Sequence, residues 1–268
     1  MGKNIFFEII IPALSLCGLG AVFGAGLAIA AKKFCVTADP RLQEILQNLP
    51  GANCGACGMA GCLGFSEGLI RGSCTIEKCA LMHEEERQQI AKILGIEARE
   101  KEKLVAALHC GAGIKVRDSF VYRGIQECVA ANLVMGGQKE CVFGCLGFGD
   151  CVKICPFGAI KMSDEGLPVV EQDKCKACNK CVIACPKKLF TLIPVTSTVY
   201  VACSSHDPGK DTKRVCSVGC IACGLCVKAC KFNAIHVIDN LAVIDYHKCT
   251  SCGECVLVCP VKCIRIRE

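Results

Sequence analysis

Residues 175–186 read CKACNKCVIACP and residues 249–260 read CTSCGECVLVCP. In both, three cysteines stand three residues apart, a fourth follows after four, and proline comes directly behind it. A triplet so spaced wraps backbone around one corner of an iron–sulfur cube, while the fourth cysteine, ahead of proline, ligates the other cluster of a pair. Crossed ligation of this kind ties two clusters into one small domain.

CLGFGDCVKICP (145–156) and CIACGLCVKACK (220–231) repeat the same unit, so it is written four times. Cys155 to Cys185 spans 30 residues and Cys230 to Cys259 spans 29, which pairs the copies into two modules. Each copy leads into an apolar, strand-like run: 159–162, 189–195, 234–238 and 263–266. Crossed ligation assigns Cys220, Cys223, Cys226 and Cys259 to one cluster and Cys249, Cys252, Cys255 and Cys230 to its partner. In the first module Cys175, Cys178, Cys181 and Cys155 form a regular set. The remaining set, Cys141, Cys145, Cys151 and Cys185, has gaps stretched to three and five residues, which Gly144, Gly147 and Gly149 make conformationally feasible.

Upstream, NCGACGMAGC (53–62) offers Cys54, Cys57 and Cys62 in a Gly-rich loop, and a short helix ended by Gly72 brings Cys79 back to them. Four thiolates suit an iron–sulfur cube or a zinc ion equally well. These five sets use 20 of the 28 cysteines. Of the others, Cys110, Cys128, Cys203 and Cys216 bracket the first module and could assemble a sixth cluster or remain buried thiols. Cys17, Cys35, Cys74 and Cys263 receive no ligand role.

Composition fits metal-dependent folding. Aromatics are 5% of 268 residues and Trp is absent, so a large conventional core is not expected. The formal charge of +6 treats every cysteine as neutral. Four thiolates on a 2+ cluster core leave roughly −2 per site, so five sites add about −10 and remove the case for nucleic-acid binding.

Ile9 to Ala31 is a run of 23 uncharged residues, about 35 Å as a helix, long enough to cross a bilayer and too long for a signal-peptide core. Lys32 and Lys33 follow it, against Lys3 alone ahead of it, which places the cysteine-rich part on the cytoplasmic side of the cell (inner) membrane. That compartment is reducing, so the thiols are expected to hold metal and not disulfides. The glycines at 18, 20, 24 and 26 permit close approach of a membrane partner, and equally match ordinary membrane-helix composition.

The expected fold is thus α+β: a transmembrane anchor (1–33), a 4Fe-4S domain (34–82), a solvated helical and mixed linker (83–137), and two 2[4Fe-4S] modules (138–198 and 199–268). No catalytic constellation is visible. The five histidines are scattered, and the closely spaced glycines lie in the anchor, where they make no dinucleotide fingerprint. Single-electron relay, with no substrate chemistry on the chain, is the function these residues suit. Tandem structural zinc sites are the colourless alternative, and an iron–sulfur subunit of a hydrogenase or heterodisulfide-reductase-like complex is another.

Over nearly its whole length the chain resembles the B subunit of the Rnf-type ion-translocating ferredoxin:NAD oxidoreductase complex. The resemblance rests on the N-terminal anchor, CGACGMAGC with Cys79, GGQKECVFGCLGFGDCVKICPFGAI, and CSVGCIACGLC leading to NLAVIDYHKC. It implies the long form of that subunit, an iron–sulfur domain plus two bacterial-type ferredoxin-like 2[4Fe-4S] modules, in keeping with the at least five [4Fe-4S] clusters that the spacing gives. It also implies electrons taken from soluble ferredoxin and passed to membrane and flavin subunits, with Na+ or H+ transport and NAD reduction elsewhere in the assembly. Other subunits of the complex, ferredoxin and membrane lipid are the expected partners.

Overall fold

The computed structural model describes residues 4–33, 39–97 and 102–267. The chain divides into two units, residues 1–44 and 45–268. Cys35 lies outside the described residues.

In the first unit, α1 (Asn4–Lys33) is one continuous helix. From Ala13 up to Lys32 and Lys33 it is apolar on all sides, and the span Ala13–Lys33 buries nothing, so Leu14, Leu19, Phe23 and Leu27 stand exposed. A helix hydrophobic all round satisfies itself only inside a large core or a bilayer. Among the described residues it is the one helix long and apolar enough to cross a membrane. Lys32 and Lys33 fill its last turn, where cations complement the helix dipole. Asp39 then accepts the Arg41 amide and pairs with its guanidinium at the start of α2 (Pro40–Gln47).

The second unit begins with a small helical core. Ile45, Leu49, Phe65, Leu69, Ile76 and Met82 pack around α3 (Gly61–Ile70), which Gly72 ends in a left-handed turn. The helix α4 (Glu84–Leu94) joins that core instead of standing in solvent as expected. Its Ile90 and Ala91 are buried against it, and buried Arg87 is held by Glu84 at 2.7 Å. Gly95, left-handed, stops α4.

The rest of the expected linker also has a tertiary role. Its strand β1 (Leu104–Leu108) pairs antiparallel with β4 (Phe190–Pro194), Leu108 opposite Phe190, so the first module's first strand precedes residue 138. Between them lie α5 (Cys128–Leu133), α6 (Asp150–Lys153), the hairpin β2 (Ile160–Met162) with β3 (Pro168–Val170), and α7 (Lys180–Ala184). The second module repeats the plan. Strand β5 (Val199–Val201) pairs with β8 (Ile264–Ile266), and they enclose α8 (Gly209–Val215), α9 (Leu225–Ala229), the hairpin β6 (Ile235–Ile238) with β7 (Leu241–Ile244), and α10 (Glu254–Leu257). Two-stranded ribbons are marginal on their own. Here they close over cores in which cysteines rank beside Val, Ile and Leu.

The modules are bonded to each other at the end of β1. The His109 ring lies 2.7 Å from the Val201 carbonyl and 2.6 Å from the Thr191 hydroxyl. A carbonyl can only accept, so Nδ1 carries the proton and Nε2 accepts from Thr191. Ser204 donates to the His109 carbonyl at 2.9 Å, Arg265 to the Gly111 carbonyl at 2.8 Å, and Arg267 to that of Val195 at 2.7 Å.

Candidate metal centres

Each cysteine triplet is shaped by two left-handed residues on either side of its middle member. In the regular copies these are Ala177 and Asn179, Ala222 and Gly224, and Ser251 and Gly253, with φ between 51° and 81°. L-residues other than Gly and Asn visit that region at a cost of roughly 1–2 kcal/mol each. The alternation folds the loop so that its side chains converge on one side. A single helical turn then carries the third cysteine inward, and Cys181 and Cys226 are buried.

Four cavities are walled by cysteines from separate elements. Cys54, Cys57, Cys62 and Cys79 line one of about 360 Å³. Its loop is pinned by Asn53, whose side-chain oxygen accepts the Cys62 amide at 2.8 Å. Cys230, Cys249, Cys252 and Cys255 line another of about 360 Å³. Cys220, Cys223, Cys226 and Cys259 line a third of about 310 Å³, which Cys263 also enters, 3.6 Å from the Cys259 sulfur. The Cys263 thiol donates to the Cys220 sulfur and so holds the Cys220 thiol below the usual thiol range. Cys155, Cys175, Cys178 and Cys181 also come together: burial, then Cys175 and Cys178, push the Cys181 thiol up to about 12, and Cys155 acts likewise on Cys178.

The fourth cavity, about 390 Å³, differs from the expected set. Its cysteines are Cys128, Cys145, Cys151 and Cys185; Cys128 stands where the sequence spacing suggests Cys141. Cys141 is instead buried with Cys216 and Cys110 among Ala112 and Val116. The cause is a register that the gap lengths conceal. Gly147 and Gly149, left-handed at φ 82° and 76°, occupy the positions of Ala222 and Gly224, and α6 corresponds to α9. Cys145 therefore matches Cys220, Cys151 matches Cys226, and Phe148 holds the middle cysteine's place. Among the unassigned thiols, Cys74 is buried and donates to the Phe65 carbonyl at 3.6 Å, and Cys17 lies exposed on α1.

The donor set fits a cluster larger than one ion. Among the described residues no three Cys, His, Asp or Glu side chains close to single-ion distance, whereas zinc draws sulfurs to about 2.3 Å. Backbone amides point at the sulfurs: Leu189 to Cys185 and Ala234 to Cys230 at 3.4 Å, and Ser251 to Cys249 at 3.5 Å. Such donors stabilise negative charge on thiolate and sulfide. Burial raises Cys145 and Cys151 to about 12 and Cys255 to about 11, so iron must displace protons when it binds.

Sites are also linked to each other. Lys180, inside the Cys175–Cys181 triplet, donates to the Cys54 carbonyl at 3.0 Å, which sets the upstream centre beside the first module.

Cysteine-walled cavities in paired ribbons define a ferredoxin-type iron–sulfur protein, and family models agree. A putative Fe-S cluster family matches residues 49–80, and 4Fe-4S dicluster domains match 139–189 and 219–263. The chain is 45% identical to the B subunit of the Na(+)-translocating ferredoxin:NAD(+) oxidoreductase complex of Acetobacterium woodii, over 96% of this chain and 77% of that protein. It is 41% identical to the B subunit of the ion-translocating oxidoreductase complex of Methanosarcina acetivorans, over 94% and 96%. The corresponding B subunit of Rhodobacter capsulatus is 31% identical over 49% of this chain and 71% of its own length. The chain belongs to the family of Rnf-type ion-translocating oxidoreductase B subunits, as an iron–sulfur electron-transfer component.

Proposed function

We propose that this chain takes single electrons from reduced ferredoxin on the cytoplasmic side of the membrane and relays them to membrane-bound and flavin-bearing subunits. Ion transport (Na+ or H+) and NAD reduction take place elsewhere in the complex. A bound [4Fe-4S] cluster would supply one-electron chemistry, at a potential toward the low end of the roughly −700 to +450 mV range of iron–sulfur clusters. The protein's part is to hold the clusters apart from water and in sequence. At least five are held: at Cys54, Cys57, Cys62 and Cys79; at Cys155, Cys175, Cys178 and Cys181; at Cys145, Cys151 and Cys185 with a fourth ligand; at Cys220, Cys223, Cys226 and Cys259; and at Cys230, Cys249, Cys252 and Cys255. Ferredoxin docks on the terminal modules, and electrons leave through the centre at Cys54–Cys79, nearest the lipid-embedded anchor in sequence.

The observation that carries this reading is that separate cavities are each walled by four cysteines drawn from distant parts of the chain. Lys180 adds to it by bonding two sites together. The full chain, purified anaerobically, is expected to be brown, to contain at least about 20 iron and 20 sulfide per chain, and to be reduced by ferredoxin. A colourless, sulfide-free preparation, or clusters all far above the ferredoxin range, would overturn the proposal.

A further inference from the structure

The second module shows a pattern that the first repeats outside its cluster sets. Cys110 stands two residues beyond the end of β1, and Cys203 two residues beyond the end of β5. Cys141 precedes Cys145 by four residues, and Cys216 precedes Cys220 by four, both with Gly directly before the later cysteine. With Phe148 recognised as the middle position, these four are two equivalent pairs, one from each module.

The bonds that join the modules bring the pairs together. Cys141 and Cys216 are buried in one cluster with Cys110 packed against them, and buried Cys203 is tied to the end of the Cys216–Cys220 turn by the Cys220 amide. The sulfurs receive backbone donors as ligating sulfurs do: Cys203 from Cys220 at 3.3 Å and Ser205 at 3.4 Å, and Cys110 from Cys145 at 3.5 Å. The thiols also sense one another, since Cys216, Cys110 and Cys203 add to the burial that raises Cys141, and Cys110 and the guanidinium of Arg265 act on Cys216. Arg265 is fixed there by its bond to Gly111.

We infer that Cys110, Cys141, Cys203 and Cys216 hold a sixth [4Fe-4S] cluster that bridges the two modules, and that Cys128, reaching in from α5, is the fourth ligand beside Cys145, Cys151 and Cys185. This rests on the cluster reading above and extends it. The cavity wall places Cys128 there, and the amides of Phe148 and Asp150 face its sulfur, at the point the missing middle cysteine would occupy. Two ligands from each module make the bridging cluster both a staple and the station between the modules' own pairs.

Native mass spectrometry of the anaerobic full-length wild type counts clusters without any substitution; six are expected, and five would overturn the inference. Total absence of clusters would instead sink the preceding proposal. Cys141→Ala, Cys216→Ala and the double variant should each lose about four iron per chain, the same single cluster. Cys128→Ala should lose a different one, and Phe148→Cys added to it should restore that cluster. Two clusters lost in the double variant, unchanged iron in Cys216→Ala, or a full complement in Cys128→Ala would each overturn the assignment. Should a variant fail to fold, the wild-type count still decides.

Discussion

His109 shows how one side chain can couple two modules. Burial lowers its pKa because a charged imidazolium would lose water on entering the site, even though the Val201 carbonyl partly offsets this. A depressed folded value means that stability is whole above the unfolded value of about 6.5 and is lost as pH falls below it, since the unfolded chain then binds the proton more readily. Thermal unfolding of the anaerobic cluster-loaded chain should therefore shift downward between pH 7.5 and 5.5. His109→Leu should cost about 1–2 kcal/mol at pH 7.5 and flatten that dependence. An unchanged slope in the variant would assign the acid sensitivity to another group. The histidine's structural role was legible from its isolation in sequence, but its partners, 82 and 92 residues away, were not.

Among the elements, the loop after β1 carries Cys110 and is held tightly against the hairpin of the first module. Gly113 has φ +53°, and a Cβ there would meet the Glu165 carbonyl at 2.1 Å and Leu167 at 2.9 Å. Those residues belong to the turn joining β2 and β3, onto which the Ile114 amide docks at 3.0 Å. Neither obstacle is a flexible chain end, so Gly113→Ala should cost at least about 2 kcal/mol through backbone strain and a displaced loop. A thermal melt of the loaded protein checks this; a loss below about 0.5 kcal/mol would show that the loop moves freely. The sequence showed helical character after residue 83, now α4, and four of the strands. It missed that the segment 83–137 splits between its neighbours, because β1 acquires a partner only when β4, some 80 residues on, closes the module. Burial of Ile90 likewise depends on Phe65 and Ile76, which no local pattern reveals.

For the molecule as a whole, all the cysteine-walled cavities lie in the unit 45–268, while the apolar helix belongs to the unit 1–44. Removal of residues 1–33 should accordingly release the chain from membranes and leave iron per chain unchanged. Flotation with vesicles and iron assay measure both. Retention on vesicles would reveal a second membrane-binding surface, and loss of iron would show that the anchor supports the clusters.

Cysteine spacing pointed to the iron–sulfur chemistry and to most of the sulfurs that share a cavity wall, because a triplet on a short loop is a local object whose geometry follows from three-residue steps and a few left-handed turns. It could not determine which thiol completes the set at Cys145, Cys151 and Cys185. The middle position is Phe148, and the fourth sulfur on that cavity wall, Cys128, comes from a separate helix upstream of the loop. Nor could spacing gather Cys110, Cys141, Cys203 and Cys216. Those four meet only because hydrogen bonds from His109, Ser204 and Arg265 join the modules, and such contacts exist in three dimensions alone.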